Sequence, residues 1–215
     1  MTAQKYIYRF SKENTDGGKS LVNTLGGKGA NLAEMCSLNL PVPPGFTIST
    51  EVCNYFLQHN CFPDNFEDSL FSYIKEIEEN LDFKFGDSKK PLLFSVRSGA
   101  RTSMPGMMET VLNVGLTTQT IEGLANKIND ERFAYDSYRR LIMMYSDVVI
   151  EKASNLNKGI REHLDSILIK IKNEKKITHD YELDSTTLKE ICVKFKSEVV
   201  QILKVQFPDD PYEQL

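Results

Sequence analysis

Two segments of this 215-residue chain contain the residue types that bind phosphate. The first is the glycine-rich run Leu25-Gly26-Gly27-Lys28-Gly29, which precedes an apolar pattern typical of a helix. Glycines let the backbone approach an anion closely, and the N-terminus of a helix carries a partial positive charge. Lys28 adds a mobile ammonium group. These features indicate a phosphate site at Gly27, Lys28 and Gly29, although a flexible turn with a solvated lysine fits the same pattern.

The glycine run departs from two familiar nucleotide-binding patterns. Val22 stands where a Walker A loop has its first glycine, and Gly29 follows the lysine where that loop has a hydroxyl residue. Leu32 fills the last glycine position of the dinucleotide-binding G-x-G-x-x-G motif. The spacing therefore assigns the run to neither class.

The second segment, residues 95–110, begins within the apolar stretch 91–97. That stretch predicts a strand covered on both faces. Arg97 and Arg101 present forked guanidinium donors that match phosphate geometry, and hydroxyl side chains accompany them. Loops at strand ends in α/β sheets often bind ligands. A surface turn with an arginine at the end of a strand is the alternative interpretation.

Apolar periodicity predicts the elements that must position these segments. The predicted strands cover residues 5–10, 46–50, 91–97 and 110–115. The predicted helices cover residues 29–40, 51–59 (with Thr50 as N-cap), 66–81, 120–129, 132–149, 156–171 and 186–203. Because no strand pattern follows Leu116, we predict an α/β part over 1–115 and a helical part over 116–203.

The end of the chain, residues 204–215, is predicted to begin a further segment. An acidic cap, Pro211 and an acidic first turn together announce a helix. A helix of about four residues cannot recover its nucleation cost. We therefore expect the polypeptide to be a piece of a longer one.

Composition and charge argue against several functional classes. Lys and Arg total 26 and Asp and Glu total 30, and the resulting net charge of −4 disfavours a nucleic-acid binder. No uncharged apolar run reaches the length of a membrane span, and the first residues lack a secretory signal, so we expect a cytoplasmic protein without a membrane partner. The cysteines lack metal-ligand spacing and are predicted to be buried thiols; they are Cys36, Cys53, Cys61 and Cys192.

A third segment, Phe133-Ala134-Tyr135-Asp136-Ser137-Tyr138-Arg139-Arg140, joins an aromatic helix face to a basic pair. Such a face usually packs in the core, and such a pair is usually solvated.

The three histidines have no nucleophile or acid at an informative spacing, so we predict no metal ligand or histidine nucleophile among them.

The glycine run, residues 42–47, residues 95–115 and residues 132–149 resemble, in that order, the N-terminal nucleotide-binding region of the pyruvate, phosphate dikinase family. The resemblance implies an α+β fold: a partial ATP-grasp-like nucleotide-binding domain with an inserted all-helical subdomain. It also implies that Lys28 and Arg97 bind the ATP phosphates as the catalytic cations. Gly106 would lie against the nucleotide through its backbone, and Arg101 and Thr110 are further candidates.

The resemblance also implies a reaction and its partners. In the family, ATP, phosphate and pyruvate give AMP, pyrophosphate and phosphoenolpyruvate through a phosphohistidine on a separate domain. ATP would bring Mg²⁺, with its ligands outside this chain, and the partners would be the phosphohistidine domain and a pyruvate-binding barrel of a homodimeric protein. We expect the chain alone to be inactive. The alternatives are a stand-alone nucleotide-binding or interaction module, and a fragment similar to phosphoenolpyruvate synthase.

Overall fold

The computed structural model describes residues 4–99, 110–152 and 156–215. The chain divides into two compact units. The first contains the described residues up to Asp82 together with Arg97–Gly99, and the second contains Phe83–Val96 and the described residues from Thr110 onward. Helices and small sheets occur together, as expected for an α+β protein. The division into 1–115, 116–203 and 204–215 stays a prediction.

The first unit packs three helices against a two-stranded sheet. Its elements are β1 (Ile7–Phe10), α1 (Val22–Ser37), β2 (Gly45–Ile48), α2 (Thr50–His59) and α3 (Phe66–Leu81). β1 and β2 are antiparallel, and Ile7 lies opposite Ile48. Ile7, Val52 and Phe66 form a buried core cluster. β1 is therefore held by side chains from α2 and α3, and α1 contacts α2 and both strands.

The predicted helices at 51–59 and 66–81 are confirmed, because their apolar residues recur at helical spacing and bury one face. α2 and α3 are followed by the cap residues Asn60 and Asp82, which adopt the left-handed conformation that polar residues tolerate. The prediction of Thr50 as N-cap is wrong. Ser49 occupies the cap position with extended backbone angles, and Thr50 is the first residue of α2.

The prediction for α1 has the wrong bounds. The helix begins at Val22, before the glycines, and ends at Ser37, before the prolines that were expected to stop it. Glycines have low helix propensity, so the sequence pattern hides the helical turn that precedes them. Leu25, Ala30 and Ala33 are buried and supply the packing that compensates for this low propensity.

The second unit is mainly helical. Its elements are β3 (Lys84–Phe85), β4 (Pro91–Leu92), β5 (Phe94–Arg97, whose last residue belongs to the first unit), β6 (Thr110–Val114), α4 (Ile121–Ile128), α5 (Glu131–Tyr145), α6 (Ile160–Glu174), α7 (Ser185–Leu203) and α8 (Pro211–Gln214). β3 pairs with β4 in parallel, and β5 pairs with β6. α5 packs against α4, α7 and β6. All four predicted helices after Leu116 are present, and among the described residues no strand follows β6.

The predicted start of α6 at residue 156 is wrong by four residues. Gly159 precedes the helix with a φ of 67°. The buried Glu151 carboxylate accepts hydrogen bonds from the N–H groups of Gly159 (2.7 Å) and Ile160 (3.0 Å). This carboxylate satisfies N–H groups that have no partner within the helix, so it fixes where α6 begins.

The predicted strand at 91–97 is also corrected. It is divided into β4 and β5 at Leu93, and β5 is not covered on both faces, since Val96 is 40% exposed. The apolar composition indicated a strand inside a large sheet, but the described strands form only two-stranded sheets. Such a sheet has too few neighbours to bury both faces of a strand.

Two predictions about burial are wrong. Cys36 and Cys192 are buried, and burial raises the pKa of Cys192 to about 12, but Cys53 and Cys61 are exposed. Arg139 was expected in solvent and is buried instead. The burial of each of these residues depends on which surface of its segment meets the core, and the residue type does not fix that. Among the described residues, no helix combines the length and apolar character that a membrane span requires.

Candidate functional site

The glycine run forms a break inside α1. Gly26 has φ 68° and ψ 168°, a backbone conformation that is essentially restricted to glycine. The break divides α1 into a short first segment and a longer second segment. Lys28 therefore lies in the first turn of the second segment, where unpaired backbone N–H groups and the helix dipole favour an anion. Its side chain is half-buried.

Gly29 packs closely against β2, which the prediction of a phosphate-binding role did not anticipate. A Cβ atom at Gly29 would lie 2.5 Å from Cγ2 of Thr47, on β2, and 3.2 Å from Cβ of Leu25. Only a glycine allows α1 to approach β2 this closely. Gly27 is half-buried beside it. The contacts of Gly27 and Gly29 with phosphate stay predictions.

Gly99, two residues after Arg97, lies near the glycine run. Arg97 is the exposed last residue of β5. Two residues later, a Cβ atom at Gly99 would lie 3.7 Å from the carbonyl oxygen of Leu25. Gly99 and Leu25 are therefore close neighbours within the first unit. The structure therefore places Gly99, two residues after Arg97, near the start of the glycine run, although about 70 positions of sequence separate them.

The remaining candidates have different outcomes. Arg101 and Gly106 lie outside the described residues. Thr110 is the half-buried first residue of β6 and belongs to the second unit. The roles of these three residues in phosphate binding stay predictions.

Arg9, Lys28 and Arg97 of the first unit differ in how they pair with acidic side chains. Arg9 donates from Nε to Asp16 (2.8 Å) and from Nη2 to the same carboxylate (3.2 Å), so its charge is neutralised within the fold. Among the residues that the structure describes, neither Lys28 nor Arg97 forms an ion pair. Within the described residues, the charges of Lys28 and Arg97 therefore differ from that of Arg9 in having no acidic partner.

The described residues do not fit a metal site. Nowhere in the described ranges do three His, Cys, Asp or Glu side chains come together as potential ligands. No described residue is therefore assigned to a metal ion.

Sequence reasoning missed two contributors to this site. Gly26 was quoted in the motif without a role, and its positive φ is what produces the break in α1. Thr50 was assigned to capping, but its Oγ1 donates a 2.9 Å hydrogen bond to the carbonyl oxygen of Asn23, also in α1. The Gly26-Gly27 pair in the sequence could have indicated the break in α1. Nothing in the sequence indicates the hydrogen bond from Thr50 to Asn23.

Comparison with known proteins indicates which kind of domain the site resembles. Residues 22–72, which include the break and Lys28, match the family model described as the pyruvate phosphate dikinase, AMP/ATP-binding domain. Over 213 residues, 98% of this chain, the sequence is 45% identical to the pyruvate, phosphate dikinase of Clostridium symbiosum. The chain is a relative of the pyruvate, phosphate dikinases.

Other dikinases match over the same extent. Identity is 42% over 97% of the chain with pyruvate, phosphate dikinase 2 of Oryza sativa, and 44% over 99% with the dikinase of Rickettsia conorii. The chain spans 23% of the length of each of these three relatives. The similarity therefore concerns the nucleotide-binding part of the dikinases.

Proposed function

We propose that this chain forms part of the ATP site of a pyruvate, phosphate dikinase, with Lys28 and Arg97 binding the ATP phosphates. The observation that carries the proposal is the proximity of Gly99 to the Leu25 carbonyl oxygen. Gly99 lies two residues after Arg97, and Leu25 lies three residues before Lys28. The match of residues 22–72 to an AMP/ATP-binding domain supports the nature of the ligand.

The chemistry of the two cations suits phosphoryl transfer. Negative charge on the phosphate oxygens shifts during transfer, and fixed positive groups stabilise that charge. The guanidinium of Arg97 has a fork of donors for two oxygens, whereas the ammonium of Lys28 is a mobile point charge. Together with the N–H groups at the break in α1, they give an anion two charges and several backbone donors.

The full reaction is proposed on the same basis. The complete protein would convert ATP, phosphate and pyruvate into AMP, pyrophosphate and phosphoenolpyruvate, through a phosphohistidine on a domain outside this chain. Mg²⁺ would accompany ATP. The ATP-grasp-like fold with a helical insertion, the homodimer and the cytoplasmic location belong to this proposal, and we propose that the isolated chain does not turn over.

Titration with ATP and Mg²⁺ tests the proposal. In spectra of the ¹⁵N-labelled chain, we expect the amide signals of Gly26, Gly27 and Lys28 to shift. Lys28→Ala and Arg97→Ala should each weaken binding about tenfold, since each removes charged hydrogen-bond donors. Lys75→Ala removes a charge from the exposed side of α3 and should leave the affinity unchanged.

Two outcomes would contradict the proposal. If the amide signals around Lys28 do not respond to ATP with or without Mg²⁺, the chain is an interaction module and not a nucleotide site. If the Lys75→Ala control weakens binding as much as the two site variants, the effect is one of net charge alone. Formation of phosphoenolpyruvate by the isolated chain would contradict the expected lack of turnover.

A further inference from the structure

The segment that joins β2 to α2 contacts α1 on both sides of its break. On one side, Oγ1 of Thr50 donates a hydrogen bond of 2.9 Å to the carbonyl oxygen of Asn23. On the other side, the Thr47 side chain packs where a Cβ of Gly29 would stand, 2.5 Å from its Cγ2. Asn23 and Gly29 lie three residues before and three residues after Gly26.

This joining segment, residues 47–50 from the end of β2 to the first residue of α2, is itself fixed in the core of the first unit. The N–H of Ser49, which lies between the two threonines, donates to the carbonyl oxygen of Tyr6 (2.8 Å), next to β1. Ser49 is 1% exposed. Thr47 pairs with Tyr8 in the sheet. A rigid segment therefore supplies the two contacts that surround the break.

We infer that Thr50 is a positioning residue for the nucleotide: its hydrogen bond to Asn23 holds the break in α1 in the conformation that presents Lys28 and the neighbouring N–H groups to phosphate. The inference rests on the proposed function. The physical reason is that a break at glycine has no side-chain restraint of its own, because glycine has the largest backbone freedom of any residue. A contact on each side of Gly26 supplies that restraint, and preorganised donors bind an anion without a cost of ordering.

Three variants separate this role from a general effect on folding. Thr50→Val keeps the size and shape of the side chain and removes the donor, whereas Thr50→Ser keeps the donor. Ser49→Ala is the matched control, because it removes a neighbouring buried hydroxyl that has no hydrogen-bond partner among the described residues. Thermal melts of each variant report whether the first unit still folds.

Two measurements on the full chain are made for every variant. The first is the exchange rate, without nucleotide, of the Asn31 and Leu32 amide hydrogens, which in a regular helix donate to the carbonyl oxygens of Gly27 and Lys28 and so report whether the turn after the break opens. The second is the dissociation constant for ATP with Mg²⁺. For Thr50→Val we expect exchange about fivefold faster and binding about fivefold weaker, the effect of one lost hydrogen bond. Thr50→Ser should restore both values, and Ser49→Ala should change neither.

A double variant shows whether the effect passes through Lys28. In a Lys28→Met background, Thr50→Val should weaken ATP binding by a smaller factor than it does in the unaltered chain. The reason is that the ammonium group that Thr50 positions is absent. If the two losses in affinity are fully additive, Thr50 does not act on Lys28 and the inference is wrong.

The remaining outcomes are distinguishable. Unchanged amide exchange in Thr50→Val shows that the hydrogen bond does not restrain the break, which overturns the inference. Faster exchange with unchanged ATP affinity shows a merely structural role, which also overturns it while the proposed function stands. If the unaltered chain does not bind ATP, the proposed function fails and the positioning role fails with it.

Discussion

The side-chain oxygen of Gln214 accepts a hydrogen bond of 2.9 Å from the backbone N–H of Gly115, 99 residues away in sequence. The amide nitrogen of the same side chain donates to the carbonyl oxygens of Leu116 (3.1 Å) and Pro208 (3.0 Å). Gln214 is buried, so water does not replace these bonds. The four-residue helix α8 is thus stabilised by tertiary contacts, which explains how it forms despite the cost of nucleation.

We expect Gln214→Leu to destabilise the second unit by about 2–4 kcal/mol, because it leaves a buried N–H and two carbonyl groups without their partner. Urea denaturation followed by circular dichroism measures the change in the free energy of unfolding. Glu213→Ala, at the exposed neighbouring position, is the control and should change it by less than about 0.5 kcal/mol. Equal effects of the two variants would contradict the role of Gln214.

Arg139 and Arg140 share one acceptor but differ in burial. Asp136 accepts from Nη2 of Arg139 at 2.6 Å and from Nε of Arg140 at 3.0 Å. The side chains are 3% and 56% exposed, respectively. Arg139 also contacts the Asp180 carboxylate at 3.3 Å, on the segment between α6 and α7.

Arg139→Met should therefore cost about 3–5 kcal/mol, since it leaves the largely buried Asp136 charge without its buried partner. Arg140→Met should cost less than about 1 kcal/mol, because an exposed ion pair is screened by water. Chemical denaturation of both variants gives the comparison. A larger loss for Arg140→Met than for Arg139→Met would show that burial does not set the strength of these pairs.

The close approach of α1 to β2 predicts a steric effect at Gly29. In Gly29→Ala, the new methyl group would overlap Cγ2 of Thr47, so we expect a loss of about 1–3 kcal/mol. Thr47→Ala removes the overlapping atoms and should recover part of that loss in the double variant. Gly18→Ala is the control, because its Cβ would meet only Glu34 Oε2, at 3.5 Å. Without any recovery in the double variant, the contact between the two positions is not the cause.

The pair of Asp16 with Arg9 predicts a dependence on acid pH. Burial alone would raise the pKa of Asp16, but hydrogen bonds from Arg9 and the charge of Lys5 outweigh it and lower the pKa from 3.8 to about 2. Because the pKa is lower in the folded chain than in the unfolded chain, the stabilisation is complete above about pH 4 and is lost as the pH falls toward 2.

We expect Asp16→Asn to lower the free energy of unfolding at neutral pH by about 1 kcal/mol, a value reduced for the partial exposure of Arg9. The difference from the unaltered chain should shrink as the pH falls from about 4 to 2. Denaturation at a series of pH values measures it. Glu13→Gln, an exposed acid in the same loop, should show no such difference at any pH.

Much of the secondary structure follows from local patterns. The helix at 66–81 needs only its apolar spacing, because a repeat near 3.6 residues places Ile74 and Ile77 on one face whatever lies beyond it. The strand 91–97 could not be predicted in the same way. Its apolar residues have the composition of a central strand, but a strand's burial depends on how many neighbours the sheet supplies.

The candidate site likewise depends partly on local sequence and partly on contacts between distant residues. The sequence by itself determined the chemistry: glycines that allow a break, a lysine beside them, and an arginine at the end of a strand. The tertiary structure alone decided that Gly99 meets Leu25, that Thr50 reaches Asn23, and that Arg9 is neutralised while Lys28 and Arg97 have no described ion pair. The reason is that residue type and spacing fix conformation over a few positions, whereas contacts between distant positions depend on how the whole chain packs.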